Sequence, residues 1–170
     1  MIKPILDACC GSRMFWFDKK NPAVVFVDNR ALECAATWKS GAGQATRYCK
    51  VSPDVIADFR ALPFPAESFW HIVLDPPHLH DIGDNAWMAK KYGKLPKDWQ
   101  PYIRDAFAEC WRVLKTNGTL IFKWNEYQIP TREVIATIGK NPLYGHKSGR
   151  QSKTQWLAFV KLPEVKGGEK

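Results

Sequence analysis

The chain lacks any apolar run of about 18 residues or more, so it offers no transmembrane helix. Met1-Ile2-Lys3-Pro4 opens it without the long apolar stretch of a secretory signal, which predicts a cytoplasmic protein. No two of the five cysteines (Cys9, Cys10, Cys34, Cys49 and Cys110) have C-x-x-C spacing, so no zinc ribbon is written here. An odd count in a chain without a signal argues against a disulfide framework and for buried, reduced thiols. Internal repeats and low-complexity linkers are absent too, and only residues 164–170 read as a flexible tail. Acids are scarce against bases, 17 to 25, for a net charge of +8.

What remains is an ordinary globular composition, 45% hydrophobic and 25% charged over 170 residues. That length makes one domain, expected over residues 1–163, which buries roughly 70% of its extended surface. The positive excess is concentrated in two windows. Residues 86–104 carry Lys90, Lys91, Lys94, Lys97 and Arg104 against Asp98, and residues 146–153 carry Lys147, Arg150 and Lys153 against no acid.

Short, nearly continuous apolar runs alternate with helical stretches. The runs are Pro4 to Ala8, Ala23 to Val27, Val55 to Ala57, Phe69 to Leu74, Thr119 to Phe122 after an Asn117-Gly118 turn, and Trp156 to Val160. Strands of this kind are buried on both faces, as in a parallel sheet. Residues 101–114 place Ile103, Phe107, Cys110, Trp111 and Leu114 at helical spacing. Residues 131–139 start at Thr131 and stop at Gly139, with a cap expected at each end. Residues 30–40 are expected to be helical as well. The alternation predicts an α/β doubly wound, Rossmann-like sheet with helices on both faces.

Four of these strands end in, or run into, an acid: Asp7, Asp28, Asp58 and Asp75. Ligands of an open parallel sheet bind beyond the carboxyl ends of its strands. The turn after the first strand, Asp7-Ala8-Cys9-Cys10-Gly11-Ser12, is built of small residues, and Asp28 follows 21 residues after Asp7. A carboxylate at that separation can accept both hydroxyls of a ribose. The full G-x-G-x-x-G cradle for a pyrophosphate is missing, because Gly11 is the only glycine of the turn and Arg13 follows Ser12. A nucleoside cofactor without pyrophosphate fits, and S-adenosylmethionine is one.

With these segments in view, nearly the whole chain resembles the class I S-adenosylmethionine-dependent methyltransferases. Asp7, Ala8, Cys9, Gly11 and Ser12 look like the first cofactor motif of that family. Asp28, with Asn29 beside it, falls where the family has its ribose-binding acid. Asp58-Phe59-Arg60-Ala61-Leu62-Pro63-Phe64-Pro65 looks like the third-strand segment that contacts the adenine. Asp75-Pro76-Pro77-His78 looks like the catalytic D/N-P-P-Y/F/W motif of the amino-methyltransferases, with His78 in place of the usual aromatic. Arg112 to Leu120 is similar to the lead into the fifth strand. The resemblance implies a seven-stranded sheet of order 3-2-1-4-5-7-6 with the last strand antiparallel, and compact phage and prophage DNA adenine methyltransferases have this look.

The motif has its own chemical logic. An exocyclic amine of a nucleobase is a poor nucleophile, because its lone pair is delocalised into the ring. Asp75 and the Pro76 carbonyl can accept its two hydrogens, Pro76-Pro77 stiffens the backbone, and His78 offers a planar face. His78-x-His80-Asp81 with Asp84 matches no zinc spacing, so no metal is expected. Trp87, Lys90, Lys91 and Tyr92 in the 78–100 loop, with Lys147 and Arg150 in the 146–153 turn, would bind substrate at the cofactor edge. Basic groups neutralise phosphates and aromatics stack on unpaired bases. The expected partner is nucleic acid, DNA before RNA, with no membrane, and the chain a monomer or a homodimer. The leading reaction is methyl transfer to adenine N6 in DNA. An RNA base and a non-catalytic binding module are the alternatives. All 46 residues between Asp28 and Asp75 are taken as core, which leaves no separate recognition module.

Overall fold

The computed structural model describes residues 3–40, 43–147, 149 and 151–164, so residues 165–170 of the expected tail and Arg150 lie outside the described residues. Its elements are β1 (Ile5–Asp7), β2 (Val24–Asp28), β3 (Leu32–Ser40), β4 (Gly43–Val51), β5 (Val55–Ile56), β6 (Phe69–Leu74), α1 (Trp87–Tyr92), α2 (Trp99–Val113), β7 (Leu114–Asn125), α3 (Thr131–Ile138), β8 (Tyr144–Lys147) and β9 (Thr154–Val160). No helix among the described residues is long and apolar enough to cross a membrane.

Seven strands form a mixed, mostly parallel sheet in the order β5-β2-β1-β6-β7-β9-β8. Counting that sheet's own strands along the chain, the order reads 3-2-1-4-5-7-6, with β9 antiparallel to both of its neighbours. The numbering differs because β3 and β4 stand apart as a two-stranded hairpin. Here the helix expected over 30–40 is corrected. Leu32–Ser40 pairs residue for residue with Gly43–Val51, bringing Cys34 opposite Cys49 and Thr37 opposite Thr46. Cross-strand pairs of β-branched, aromatic and cysteine side chains outweigh the helical leaning of Ala31, Glu33, Ala35 and Ala36.

One face of the large sheet is packed. Leu6, Ile72, Leu74, Leu120, Phe122, Trp124, Leu157 and Phe159 point there and are buried, covered by Ile103, Ala106, Phe107 and Cys110 of α2 and by Val134 of α3. The 3/4 spacing on α2 puts those four side chains on one stripe. Burial of this kind is the main stabilising term, at about 25 cal/mol per Å² of apolar surface. α3 ends at Gly139, whose left-handed φ of 70° suits glycine, but Thr131 is no cap, since its hydroxyl donates to Glu126. The opposite face has no helix among the described residues, against the expectation of helices on both faces. The 8–23 crossover covers it instead, setting Trp16 edge-on to Phe26 and Phe15 edge-on to Trp156.

Two local departures from the sequence reading concern β7 and β1. Asn117-Gly118 is an irregularity inside β7 rather than a turn before it, with Asn117 at φ 65° and the β6–β7 register shifting between Phe69 and His71. Asp7, at the end of β1, is fully buried and accepts hydrogen bonds from the Trp16 indole (2.7 Å) and the Cys9 amide (3.3 Å). Burial pushes its pKa up from 3.8 to about 7, against those two hydrogen bonds.

Two stability outcomes follow from this packing. A Cβ on Gly118 would stand 2.7 Å from the Lys115 carbonyl oxygen and 3.0 Å from that of Trp70, so Gly118→Ala should cost roughly 1–3 kcal/mol in denaturant unfolding. The folded chain holds the Asp7 proton that the unfolded chain releases near 3.8. That contribution is complete below about pH 4 and is lost as pH rises through about 7. The unfolding temperature should therefore fall between pH 5 and 8, and Asp7→Asn should flatten the fall.

Candidate active site

The parallel registers set the geometry. Ile5, Leu6 and Asp7 pair with Val24, Val25 and Phe26 on one side and with His71, Ile72 and Val73 on the other. Asp28 and Asp75 therefore extend two residues past Asp7, roughly 6.6 Å further along the strand direction. A cavity of about 310 Å³ opens at this edge. Its walls include Cys9, Gly11 and Ser12 of the first turn, Asp28 at the end of β2 and Asn29 after it, Phe59, and Asp75 and Pro77 after β6. Sequence reasoning named these eight, and the wall has further residues, among them Arg30, Tyr92, Tyr102 and Lys123.

Each is held by local chemistry. Gly11 sits at φ 48°, and a Cβ there would meet no atom within 4 Å, so its backbone faces open space. Its amide donates to Asp28 at 2.9 Å. Asp28 is buried and also accepts from Arg30, through the Arg30 amide (3.0 Å), Nε (2.9 Å) and Nη2 (3.1 Å). Phe59 packs edge-on to Tyr102 of α2 at 5.2 Å, making an aromatic wall. Cys9 stands with its sulfur accepting from the Asp75 amide at 3.1 Å, and burial pushes its thiol well up, so it stays protonated.

Three expected cofactor residues lie off the cavity wall. Ala8 is buried behind it and Asp7 lies beneath it. Asp58 is turned away into a bidentate pair with Arg60, which holds its carboxyl below the usual range.

Asp75 is the hinge between two spaces. A second cavity, of about 180 Å³, is lined by Pro76, His78, Met88, Asn125 and Thr154, and shares Asp75, Tyr92 and Lys123 with the first. Lys123 Nζ donates to Asp75 Oδ2 at 2.6 Å and lies 5.6 Å from the Phe15 ring and 5.5 Å from the Trp156 ring. Burial pushes the Asp75 carboxyl up, and the Lys123 charge opposes that shift. His78 is pushed down to about 4, by burial and then by Lys123, so its imidazole is neutral near pH 7. It lies edge-on to Trp124 at 6.4 Å.

Lys123 was missed by sequence reasoning. Its signal was a lone cation in the apolar run Leu120-Ile121-Phe122-Lys123-Trp124. That reads as a site residue only once Leu74 is known to pair with Phe122, which makes Lys123 the neighbour of Asp75. Arg30, Tyr102 and Asn125 were missed as well.

The expected substrate residues divide. Tyr92 reaches both cavities, while Trp87, Lys90 and Lys91 ride on α1 outside their walls. Lys147 belongs to β8 rather than to a turn, and pairs with Glu126 at 2.9 Å. His80 and Asp81 are tied through their amides to Gln128, and no three metal-ligating side chains converge among the described residues.

No family model matches the sequence, and no curated protein matches it. Solved structures do. The PH0226 protein from Pyrococcus horikoshii OT3 superposes with a TM-score of 0.54 at 14% identity, over 94% of this chain and 81% of that one. A predicted O-methyltransferase, protein Atu636 from Agrobacterium tumefaciens, gives 0.39 at 17% identity, over 62% and 45%. The geranyl diphosphate C-methyltransferase from Streptomyces coelicolor, solved with S-adenosyl-L-homocysteine, gives 0.40 at 9% identity, over 64% and 52%. The chain spans about half the length of these last two. At such identities the likeness to PH0226 is one of fold alone, that of a seven-stranded, mostly parallel α/β sheet.

Proposed function

We propose that the chain is an S-adenosylmethionine-dependent methyltransferase acting on an exocyclic amine of a nucleobase, with adenine N6 in DNA as the leading target. The observation that carries this reading is the pair of cavities joined at Asp75, one large enough for a nucleoside cofactor and one suited to a small planar group.

The residues present fit the cofactor. Asp28 would accept the ribose hydroxyls once Arg30 gives way, Phe59 and Tyr102 would flank the adenine, and the turn at Gly11 would face the methionine end. When bound, the cofactor supplies an electrophilic methyl on a sulfonium. Asp75 and the Pro76 carbonyl accept the two amine hydrogens, and neutral His78 offers its face to the ring. Asp75 and Pro76 would hold the amine while its nitrogen takes the methyl carbon and the carbon–sulfur electron pair stays on sulfur. The new ammonium-like nitrogen then loses its proton to Asp75 or to water. Lys123 orients Asp75 through their 2.6 Å hydrogen bond, and its charge opposes the upward push of burial on the carboxyl, which favours the form that accepts. Positioning of this kind dominates a displacement that needs in-line geometry.

The deciding experiment incubates the protein with methyl-labelled S-adenosylmethionine and DNA, RNA or free nucleosides, followed by digestion and identification of the labelled base. Label on adenine in DNA is the expected outcome, and absence of label from every base would sink the reading. Asp75→Ala should lower turnover by about 10²-fold or more while leaving cofactor affinity within a few-fold. Removing the opposing charge in Lys123→Met lets the Asp75 pKa rise further. The acid limb of the pH–rate profile should then move to higher pH, and an unmoved limb would take Lys123 out of the mechanism.

A further inference from the structure

We infer that the β3–β4 hairpin is a recognition arm that lies in the major groove of duplex DNA, an inference that rests on the nucleobase reading above. Leu32–Ser40 and Gly43–Val51 pair without a break from Leu32↔Val51 to Ser40↔Gly43. At nine residues each, the strands run about 30 Å. The hairpin shares no ladder with the large sheet. Among the described residues it is buried at its foot, at Val51 and at Cys49, whose sulfur lies 3.2 Å from the Ser12 hydroxyl. Glu33 and Lys50 are exposed at the foot, and Thr37, Gln44, Thr46 and Tyr48 are exposed farther out. A lone two-stranded ribbon is marginally stable in water, so the core gains little from this arm.

Shape, chemistry and placement point to one occupant. A two-stranded ribbon fits the major groove of B-form DNA, about 12 Å wide, and strands reading that groove are an established docking geometry. The pairing puts Glu33, Thr37, Gln44, Thr46, Tyr48 and Lys50 on one face, where Lys50 pairs with Glu33 and the Thr37 and Thr46 hydroxyls meet at 3.0 Å, leaving the Gln44 amide, the Tyr48 phenol and the remaining hydroxyl capacity as groups of the kinds that bond base edges and phosphates. Residues 32–51 hold Lys39, Arg47 and Lys50 against Glu33, a net +2. This polar, basic character is unlike the apolar core of a homodimer interface. The deep, narrow major groove of duplex RNA would not admit the ribbon. The arm leaves the chain just past Asp28, at the catalytic edge, and Arg30 at its foot donates to the Lys90 carbonyl of α1 at 3.4 Å. Arm and basic helix thus flank one opening, and a duplex held there presents its bases to the Asp75 cavity, where the target base is flipped out.

The test measures binding of the full chain to a labelled DNA duplex, to its single strand and to an RNA duplex of the same sequence. Two variants are compared with the wild type: Gln44→Ala, Thr46→Ala and Tyr48→Ala combined, and a truncation replacing residues 36–47 by a short glycine turn. The combined variant should lose about tenfold or more in duplex DNA affinity. The loss on single-stranded DNA should be smaller, and S-adenosylmethionine binding by calorimetry should be retained, which shows that the variant is folded. Unchanged duplex affinity, an equal loss on single strand and duplex, or an equal preference for duplex RNA would overturn the arm. A wild-type dimer that becomes monomeric on truncation, with duplex affinity kept, would overturn it in favour of self-association. These failures leave methyl transfer to DNA intact, whereas absence of transfer to any base overturns the underlying reading instead.

Discussion

Parallel pairing on both sides of β1 is the constraint on which the rest of the molecule depends. Because β2 and β6 pair with β1 in fixed register, the ends of three strands arrive at one edge with their acids staggered by two residues. Asp7 falls short of the edge and is sealed beneath Trp16, while Asp28 and Asp75 reach the cavity. Carboxylates gathered in partly desolvated space are costly unless they are paired. The chain answers with one cation for each acid that reaches the opening: Arg30 on Asp28 and Lys123 on Asp75. The acid left without a cation, Asp7, responds by holding a proton.

The same sheet is unequally clothed. α2 and α3 cover one face with a continuous core, and Arg112 extends that contact by donating to the carbonyls of Leu62 and Phe64. The other face has an aromatic patch from the 8–23 crossover, built around Trp16 on Phe26 and Phe15 on Trp156. Residues that would otherwise make a helix after β2 make a projecting hairpin. The segment between Asp28 and Asp75 is therefore not all core, and the spare length stands beside the site instead of behind the sheet.

How much of this was legible follows from the range of each interaction. Strand ends are local: an apolar run that stops in Asp declares both the strand and the acid, which is why Asp28, Asp75 and the turn at Gly11 could be placed from the residues alone. The hairpin is not local in that sense. Ala31, Glu33, Ala35 and Ala36 favour a helix when read singly, and only pairing with residues 43–51 reverses that preference. Lys123 depends on register between strands that are 48 residues apart at that point, which no periodicity within one strand records. Asp58 shows the converse. Its position at a strand end was legible, but its commitment to Arg60 was not, because Asp-x-Arg pairing depends on how the 58–62 turn closes.

His78 shows how these constraints meet at the reacting centre. An imidazole is a poor stand-in for a phenyl or phenol face if it carries a charge, since a cation beside Lys123 would repel it and would compete for Asp75. The fold removes that difficulty in two ways. Burial against Trp124 penalises the protonated form, and Lys123 adds electrostatic pressure in the same direction, so His78 titrates at about 4. The lysine that opposes the upward push on Asp75 thus also adds to the effect of burial in keeping its neighbour neutral. Under the proposed reading, burial acts first on both residues that would meet the base, and one lysine contributed by β7 adds to its effect on His78 and opposes it on Asp75, which makes the unusual histidine compatible with the role its position implies.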